Sequence, residues 1–405
     1  TLEKLKTIVL HTVFSRFDAD GNVYEYLAVD ERFKQIEPVE ESDIADYQDD
    51  LYDTWIDLWE SGKFPDIVSH YLEKWRDRFY LFDKEYPFFQ VRKEDIVADK
   101  ISKAKASSIS GKNINRTISE SENKLALFSP KNSKNKEQLT ASEVTRWLLT
   151  FQGYSGLSDK VIFGKEKYKV SKGWLFDIGA VFIQGTSLFE TLLLNCILPF
   201  YDHVNLESIQ CPCWEFASSD NINRYLFGSE CTDLANLYTI WSRGIYIDPE
   251  YDLNKPFSFE IVKLPEINHR DNFLEPMTTW KYNTTGENKD SYTPRKHPLN
   301  QSLWRSFGLL AVEDRTGHFR KPGIIDWLGD IGDIIGNRLF NIISISMQDD
   351  GNATSWLPTD EVIDSILIND LVLADFNESG WVPRINEVVE ETKTVISKVY
   401  KRYIE

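Results

Sequence analysis

Asp326, Asp330 and Asp333 are carboxylates spaced closely enough to hold a divalent cation, and a cation held that way activates water for phosphodiester hydrolysis. Ile324, Ile325, Leu328, Ile331, Ile334 and Ile335 run between and beside them, so the plainer reading is an amphipathic element with a wet acidic edge. Cys211-Pro212-Cys213 is the only close cysteine pair. Its single intervening residue and the lack of a second pair fit small thiols packed near Trp214 better than zinc. The six histidines, His11, His70, His203, His269, His297 and His318, are scattered and read as surface or core residues. The phosphate-binding, dinucleotide, nucleophile-elbow and zinc-protease motifs are all absent. These residues predict no catalytic constellation and no cofactor, and a metal-dependent nuclease or hydrolase on Asp326, Asp330 and Asp333 stands as the alternative.

Three loops have a different character, suited to a nucleic-acid backbone. The first runs from Asp99 to Lys136, with nine basic residues against three acidic ones. Within it Lys112, Asn113, Ile114, Asn115 and Arg116 offer charge and amide donors together, which suits phosphate and groove contacts. The second, Gln152 to Lys160, contains Gly153, Ser155 and Gly156, and glycines let main-chain N–H groups approach a phosphate or a narrow groove. The third, Lys281 to Lys296, places Lys281, Asn283, Lys289, Arg295 and Lys296 around the turn Asn283-Thr284-Thr285-Gly286.

The whole chain restricts how such loops could work. It has 405 residues, 41% hydrophobic, which is enough for real cores and for two or three domains. Its net charge of −18 argues against coating nucleic acid through the overall field, so any contact must be local. Ten carboxylates and no Lys or Arg lie between Glu37 and Glu60, interleaved with Tyr52, Trp55, Ile56 and Trp59, which reads as an acidic face over an aromatic stripe. Four cysteines are too few for a disulfide scaffold, and neither a membrane span nor a signal peptide is apparent, so a soluble cytoplasmic protein is expected.

Helices are predicted from Leu2 to Phe17, from Ile67 to Phe79, from Leu188 to Leu198 and from Asn386 onward. Thr140 and Glu143 form a capping box before Val144, Trp147, Leu148 and Phe151, in a helix that must stop at Gly153 or Gly156. Strands are predicted from Ala180 to Gly185, within Arg243 to Leu264, and from Ser302 to Val312. Ile343, Ile345 and Met347 alternate with Ser344, Ser346 and Gln348 in a half-buried strand that runs into the turn Asp349-Asp350-Gly351-Asn352.

Phe79-Tyr80-Leu81-Phe82 followed by Tyr86-Pro87-Phe88-Phe89-Gln90 resembles the F-Y-L-x-x-x-x-x-P-F-x-Q signature of the CasA family, the large subunit of the type I-E CRISPR surveillance complex Cascade. Trp147 to Gly156, Gly185 to Asn195 and Pro212-Cys213-Trp214-Glu215 are similar to later family segments in order and spacing. The resemblance implies an α+β fold: a large mixed N-terminal domain, residues 1–380, followed by a C-terminal four-helix bundle of which 381–405 is the start. It also implies that family strands precede Thr1 and that the bundle continues past Glu405.

In function, the resemblance implies a non-enzymatic role in antiviral defense. Such a protein inspects double-stranded target DNA for the PAM from the minor groove, starts duplex opening for crRNA pairing and recruits the Cas helicase-nuclease. The implied partners are DNA, crRNA, other Cascade subunits and that nuclease, with no membrane. Residue by residue, Lys112, Asn113, Asn115 and Arg116 match the loop near the PAM end and the crRNA handle, Gly153, Ser155 and Gly156 the glycine loop, and Lys281 with Asn283 the lysine finger. Gln348, Asn352, Ala353 and Thr354 match the wedge. The glycine loop has only two glycines, and Ala353 or Thr354 stands where some relatives carry glutamine in the wedge. A pure assembly scaffold, docking a basic partner on the acidic face without touching DNA, is the other alternative.

Overall fold

The computed structural model describes residues 2–114, 135, 137–154, 159–199, 209–228, 231–312, 314, 316–336, 338–351, 358–369, 372–373, 375 and 380–404. The chain is a mixed α+β protein in which helices pack around short antiparallel sheets. Helix α1 (Leu2–Phe14) buries Ile8, Val13 and Phe14 completely. In α2 (Ile44–Ser61), Tyr47, Leu51, Thr54, Trp55 and Leu58 recur at helical spacing and are buried. Gly62, in the left-handed region at φ 67, ends that helix and donates its N–H to Leu58 and Trp59. Trp55 stacks on Trp59 at 5.6 Å, meets Trp327 edge-on at 5.2 Å and donates its indole N–H to Leu193 O, so the predicted aromatic stripe is a core seam.

Helix α3 (Asp66–Lys74) is shorter than predicted and passes into a 3-10 turn, Arg76–Arg78. The sheet β1 (Ser107–Ser110), β4 (Ser258–Lys263), β3 (Arg243–Tyr246) has β4 in the middle, and α4 (Gly111–Ile114) follows β1. Helix α5 (Ala141–Gly153) starts at the predicted capping box: Thr140 Oγ1 accepts from Glu143 N, and Glu143 reaches back to Thr140 N. A second sheet orders β2 (Gly179–Gln184), β8 (Leu339–Asp349) and β9 (Pro358–Asn369). Helix α6 (Leu188–Leu194) stops short of the predicted Leu198 because the Asn195 amide turns to β2, accepting from Ile183 N at 2.9 Å and donating to Ile183 O at 2.7 Å.

Helices α7 (Ser218–Phe227) and α8 (Leu234–Thr239) precede the third sheet, in which β5 (Trp280–Asn283) lies between β6 (Ser291–Pro294) and β7 (Phe319–Arg320). The strand predicted from Ser302 to Val312 is instead a 3-10 turn, Leu303–Ser306, running into α9 (Phe307–Ala311). Its buried residues, Leu303, Phe307, Leu310 and Ala311, follow the helical period rather than the period of two. Helices α10 (Gly323–Asp330) and α11 (Gly332–Ile335) carry the three aspartates, and the helix Trp381–Thr394 comes near the end of the chain.

Strand β8 forms as predicted, but over residues 343–346 its faces are exchanged, while Met347 is buried as expected. Ser344 and Ser346 are 1% exposed, whereas Ile343 and Ile345 are only half-buried. The serines are small enough to let main chain approach: Ser344 Oγ donates to Asp364 O and Ser346 Oγ to His297 O, both at 3.3 Å.

Several polar groups inside the body are drawn into dense networks. Arg16 forms a two-point pair with Glu215, at 2.7 and 3.1 Å, and also donates to Phe33 O and Gln210 O. Tyr71 donates to Glu215 at 2.6 Å and accepts from the Trp214 indole at 2.7 Å. Burial alone would weaken the Arg16 guanidinium, but Glu215 beside it holds the pKa above the ordinary value. In the signature segment, the Gln90 amide donates to Leu81 O and accepts from Ile247 N, and Phe79 meets Phe88 and Trp214 at 5.7 and 5.6 Å. The residues that carry the resemblance are therefore a packing and hydrogen-bonding joint.

Candidate nucleic-acid interface

The proposed finger stands on a ladder. Strand β5 pairs with β6 through Trp280↔Pro294, Lys281↔Thr293, Tyr282↔Tyr292 and Asn283↔Ser291. On its other side β5 pairs with β7 at Trp280 and Lys281. Trp280 points into the core, and Lys281 points out, exposed and with no ion pair among the described residues. The Asn283 amide donates to Ser291 O at 2.9 Å and to Thr293 Oγ1 at 3.0 Å, so it braces the hairpin.

The glycine loop is described only at its two ends, since Ser155 and Gly156 lie outside the described residues. At the first end Gln152 is buried and acts as a splice. Its amide donates to Phe89 O and Arg243 O, and its carbonyl oxygen accepts from Ser242 N and Arg243 N. Gly153 lies directly over Leu175, and a Cβ at Gly173 would collide with the Gly153 carbonyl; Gly173 itself sits at φ 95. At the second end Asp159, whose side chain is 1% exposed, lies 3.4 Å from the Arg243 guanidinium and 3.8 Å from the Lys263 ammonium. Burial pushes the Asp159 carboxyl up, although Arg243 and Lys263 pull it down. Arg243 is thus the post to which both ends of the loop are tied.

The wedge is likewise described at its base. Asn352, Ala353 and Thr354 lie outside the described residues. Gln348 donates its amide to His297 O at 2.8 Å, so it fixes the strand end rather than projecting outward. Asp349 divides its two oxygens: Oδ1 accepts from Gly351 N at 2.9 Å, shaping the turn, and Oδ2 pairs with Lys296 at 2.7 Å. Burial raises the Asp349 carboxyl, but the hydrogen bonds from Lys296 and Gly351 outweigh it and hold the pKa below the ordinary carboxylate value. In the basic excursion, Lys112 and Asn113 fall in α4, whose start is fixed by Gly111 N donating to Phe257 O. Asn115 and Arg116 lie outside the described residues.

The enzymatic alternative loses its geometric basis. Among the described residues the only metal-compatible trio is Asp177, Glu266 and His269, so Asp326, Asp330 and Asp333 do not converge. Asp326 pairs instead with Lys321 at 2.5 Å. The trio itself is already neutralised: Asp177 holds Lys172 at 2.8 Å, Glu266 holds Lys169 at 2.9 Å, and His269 stacks on Trp174 at 4.4 Å. Burial pushes the thiols of Cys211 and Cys213 up to about 12, which suits packed cysteines and opposes metal ligation.

Sequence reasoning singled out Lys281 and three loops, but not the residues that anchor them. Gln152 and Asp159 flank the glycine loop directly and were visible as a buried-type amide and a carboxylate at its ends. Their common partner, Arg243, is about 90 residues away in sequence, and only the fold brings it there.

The family model of CRISPR-associated protein Cse1 matches residues 9–404, almost the whole chain. The chain belongs to the Cse1 family. A curated Cse1 relative, CasA/Cse1 of Thermus thermophilus, is 32% identical over 265 residues, covering 63% of this chain and 46% of the relative. The chain therefore spans about half the length of that relative. Among solved structures, Thermobifida fusca Cse1 superposes with a TM-score of 0.72 at 20% identity, over 98% of this chain and 70% of that one. Acidimicrobium ferrooxidans Cse1 gives 0.65 at 21%, over 97% and 66%. A chain of a CRISPR RNA-guided surveillance complex gives 0.67 at 16%, over 98% and 73%. These structural matches establish the Cse1 fold for this chain.

Proposed function

We propose that this Cse1-family chain is a non-catalytic subunit of a crRNA-guided Cascade complex that recognises the PAM in double-stranded target DNA. It does so through minor-groove loops, begins duplex opening and recruits the helicase-nuclease. Residues 1–380 form the recognition domain, 381–405 begin a helical bundle, and the compartment is the cytoplasm. The observation that carries the reading is Lys281: an exposed cation without an acidic partner among the described residues, on the middle strand of a three-stranded ladder. The minor groove offers few distinguishing groups, so a reader needs a small number of rigidly presented polar groups. The tied ends of the glycine loop and the braced wedge base have the same character.

The test is the affinity of assembled complexes for duplexes with and without the PAM. Lys281→Ala is expected to weaken PAM-dependent binding by about 1 to 3 kcal/mol. Equal binding of both duplexes by variant and parent would remove Lys281 from the interface. The scaffold reading retains one supporting observation: none of the ten carboxylates from Glu37 to Glu60 pairs with a Lys or Arg among the described residues. Crosslinking of PAM duplex to the assembled complex separates the two readings, because a pure scaffold leaves this chain unlabelled.

A further inference from the structure

We infer that Lys296 is a positioning residue that locks the finger, the wedge and the floor of the glycine loop to one another. By charge alone Lys296 is one more cation of the loop after Lys281. The geometry turns its ammonium inward instead. Its side chain is 20% exposed and reaches 2.7 Å to Asp349 Oδ2, at the last residue of β8 before the wedge turn, and 3.8 Å to Asp177 Oδ1. Asp177 closes the 3-10 turn Trp174–Asp177, whose Leu175 lies under Gly153 and whose preceding residue, Gly173, abuts the Gly153 carbonyl. Lys296 itself follows β6 by two residues, and β6 is in register with the strand that carries Lys281.

The surroundings make this a joint rather than a surface ion pair. The Asp349 side chain is 17% exposed and Asp177 is 30% exposed, so both pairs are shielded from salt more than exposed pairs are. The Lys296 ammonium also sits 4.4 Å from the centre of the buried Phe176 ring. Next to it, His297 O accepts from Gln348 and Ser346, and the His297 ring nitrogen lies 3.1 Å from Ala180 O in β2. A strap of three residues, 295–297, thus runs from the finger hairpin to both β8 and β2. Removing its charge would leave the His297 bonds alone to hold the strap to β8 and β2 and would loosen the three elements relative to one another, and displacements of about 1 Å matter when several groups must enter one groove together.

The inference rests on the PAM-reading proposal, and the experiment separates the two. Complexes assembled with Lys296→Met, Lys296→Arg, Asp349→Asn or the Lys296→Met/Asp349→Asn pair are compared with Lys281→Ala for binding to PAM and non-PAM duplexes. Lys296→Met is expected to lower the PAM to non-PAM affinity ratio about tenfold, and Lys296→Arg to restore most of it. Asp349→Asn should give a similar loss, and the double variant should lose no more than the larger single, because both remove one clamp. If Lys281→Ala lowers the ratio while Lys296→Met leaves it unchanged, or if the two clamp losses add, the clamp is overturned and the PAM reading stands. If Lys281→Ala also leaves the ratio unchanged, the PAM reading fails and the clamp with it. Should Lys296→Met fail to assemble, the ratios of Asp349→Asn and Lys296→Arg decide: loss in the first with retention in the second supports the clamp, and any other pattern overturns it.

Discussion

In the region built on α1, cations are enclosed: Arg16 is held by Glu215 and two carbonyls, and Lys4 lies 2.7 Å from Glu275, which also accepts from Trp174 and Tyr238. In β5, at the described ends of the glycine loop and at the end of β8, the supporting residues are just as tightly bonded, yet Lys281 is left open. The same residue chemistry therefore serves opposite ends. A buried, fully partnered charge fixes the fold, and an exposed charge on a rigid strand is free to meet a ligand. Substitutions in the first region should change stability and leave DNA discrimination alone, and those in the second should do the reverse.

The largest effect is expected from Glu215→Gln or Arg16→Met, each of which strands a buried charge and should cost about 3 to 5 kcal/mol in denaturant unfolding. A loss below about 1 kcal/mol would mean the pair is a bystander. Asp233 comes next. Burial pushes its carboxyl up to about 6 from an ordinary value of 3.8, although Cys211 and Asn236 N–H groups bond it. A raised carboxyl pKa gives stability that is full below the unfolded value and is lost as pH rises through the folded one, a change on the order of 3 kcal/mol. Asp233→Asn keeps the helix cap and should lack this decline between about pH 4 and 6, so parallel pH profiles of parent and variant would contradict the assignment.

Lys281→Ala follows, with its loss of about 1 to 3 kcal/mol in PAM binding and a stability change within about 0.5 kcal/mol. A melting shift as large as that of Glu215→Gln would erase the contrast between the regions. Thr140→Ala is expected to be the smallest, about 1 kcal/mol in stability from the broken capping box, with the PAM to non-PAM ratio unchanged. Because α5 ends at Gly153, a changed ratio would show that the whole helix, and not its tied end, sets the loop.

Local signals were legible in the sequence where chemistry and spacing agree over a few residues. The capping box of Thr140 with Glu143, the aromatic stripe through Trp55 and Trp59 and the strand that ends at Asp349 all appear where their residues put them. The reading failed where a distant partner decides. Leu303 to Ala311 became helical because its apolar residues meet the core at helical spacing, and Ser344 and Ser346 went inside because His297 and Asp364 main chain lies against them. The bonds that Asn283 makes within its hairpin and that Gln348 makes to His297 O were likewise not visible in the sequence. Lys281 was legible as one of four cations around a turn, and its lack of an ion pair among the described residues became visible only in the fold.

The central claim is that position 281 enters the duplex at the PAM. A photoreactive lysine analogue placed there, in the fully assembled complex, tests it most directly. The account predicts crosslinks to the PAM base pairs of a PAM-containing duplex and few to one without it. Crosslinks that are absent, or equally strong on both duplexes, would contradict it.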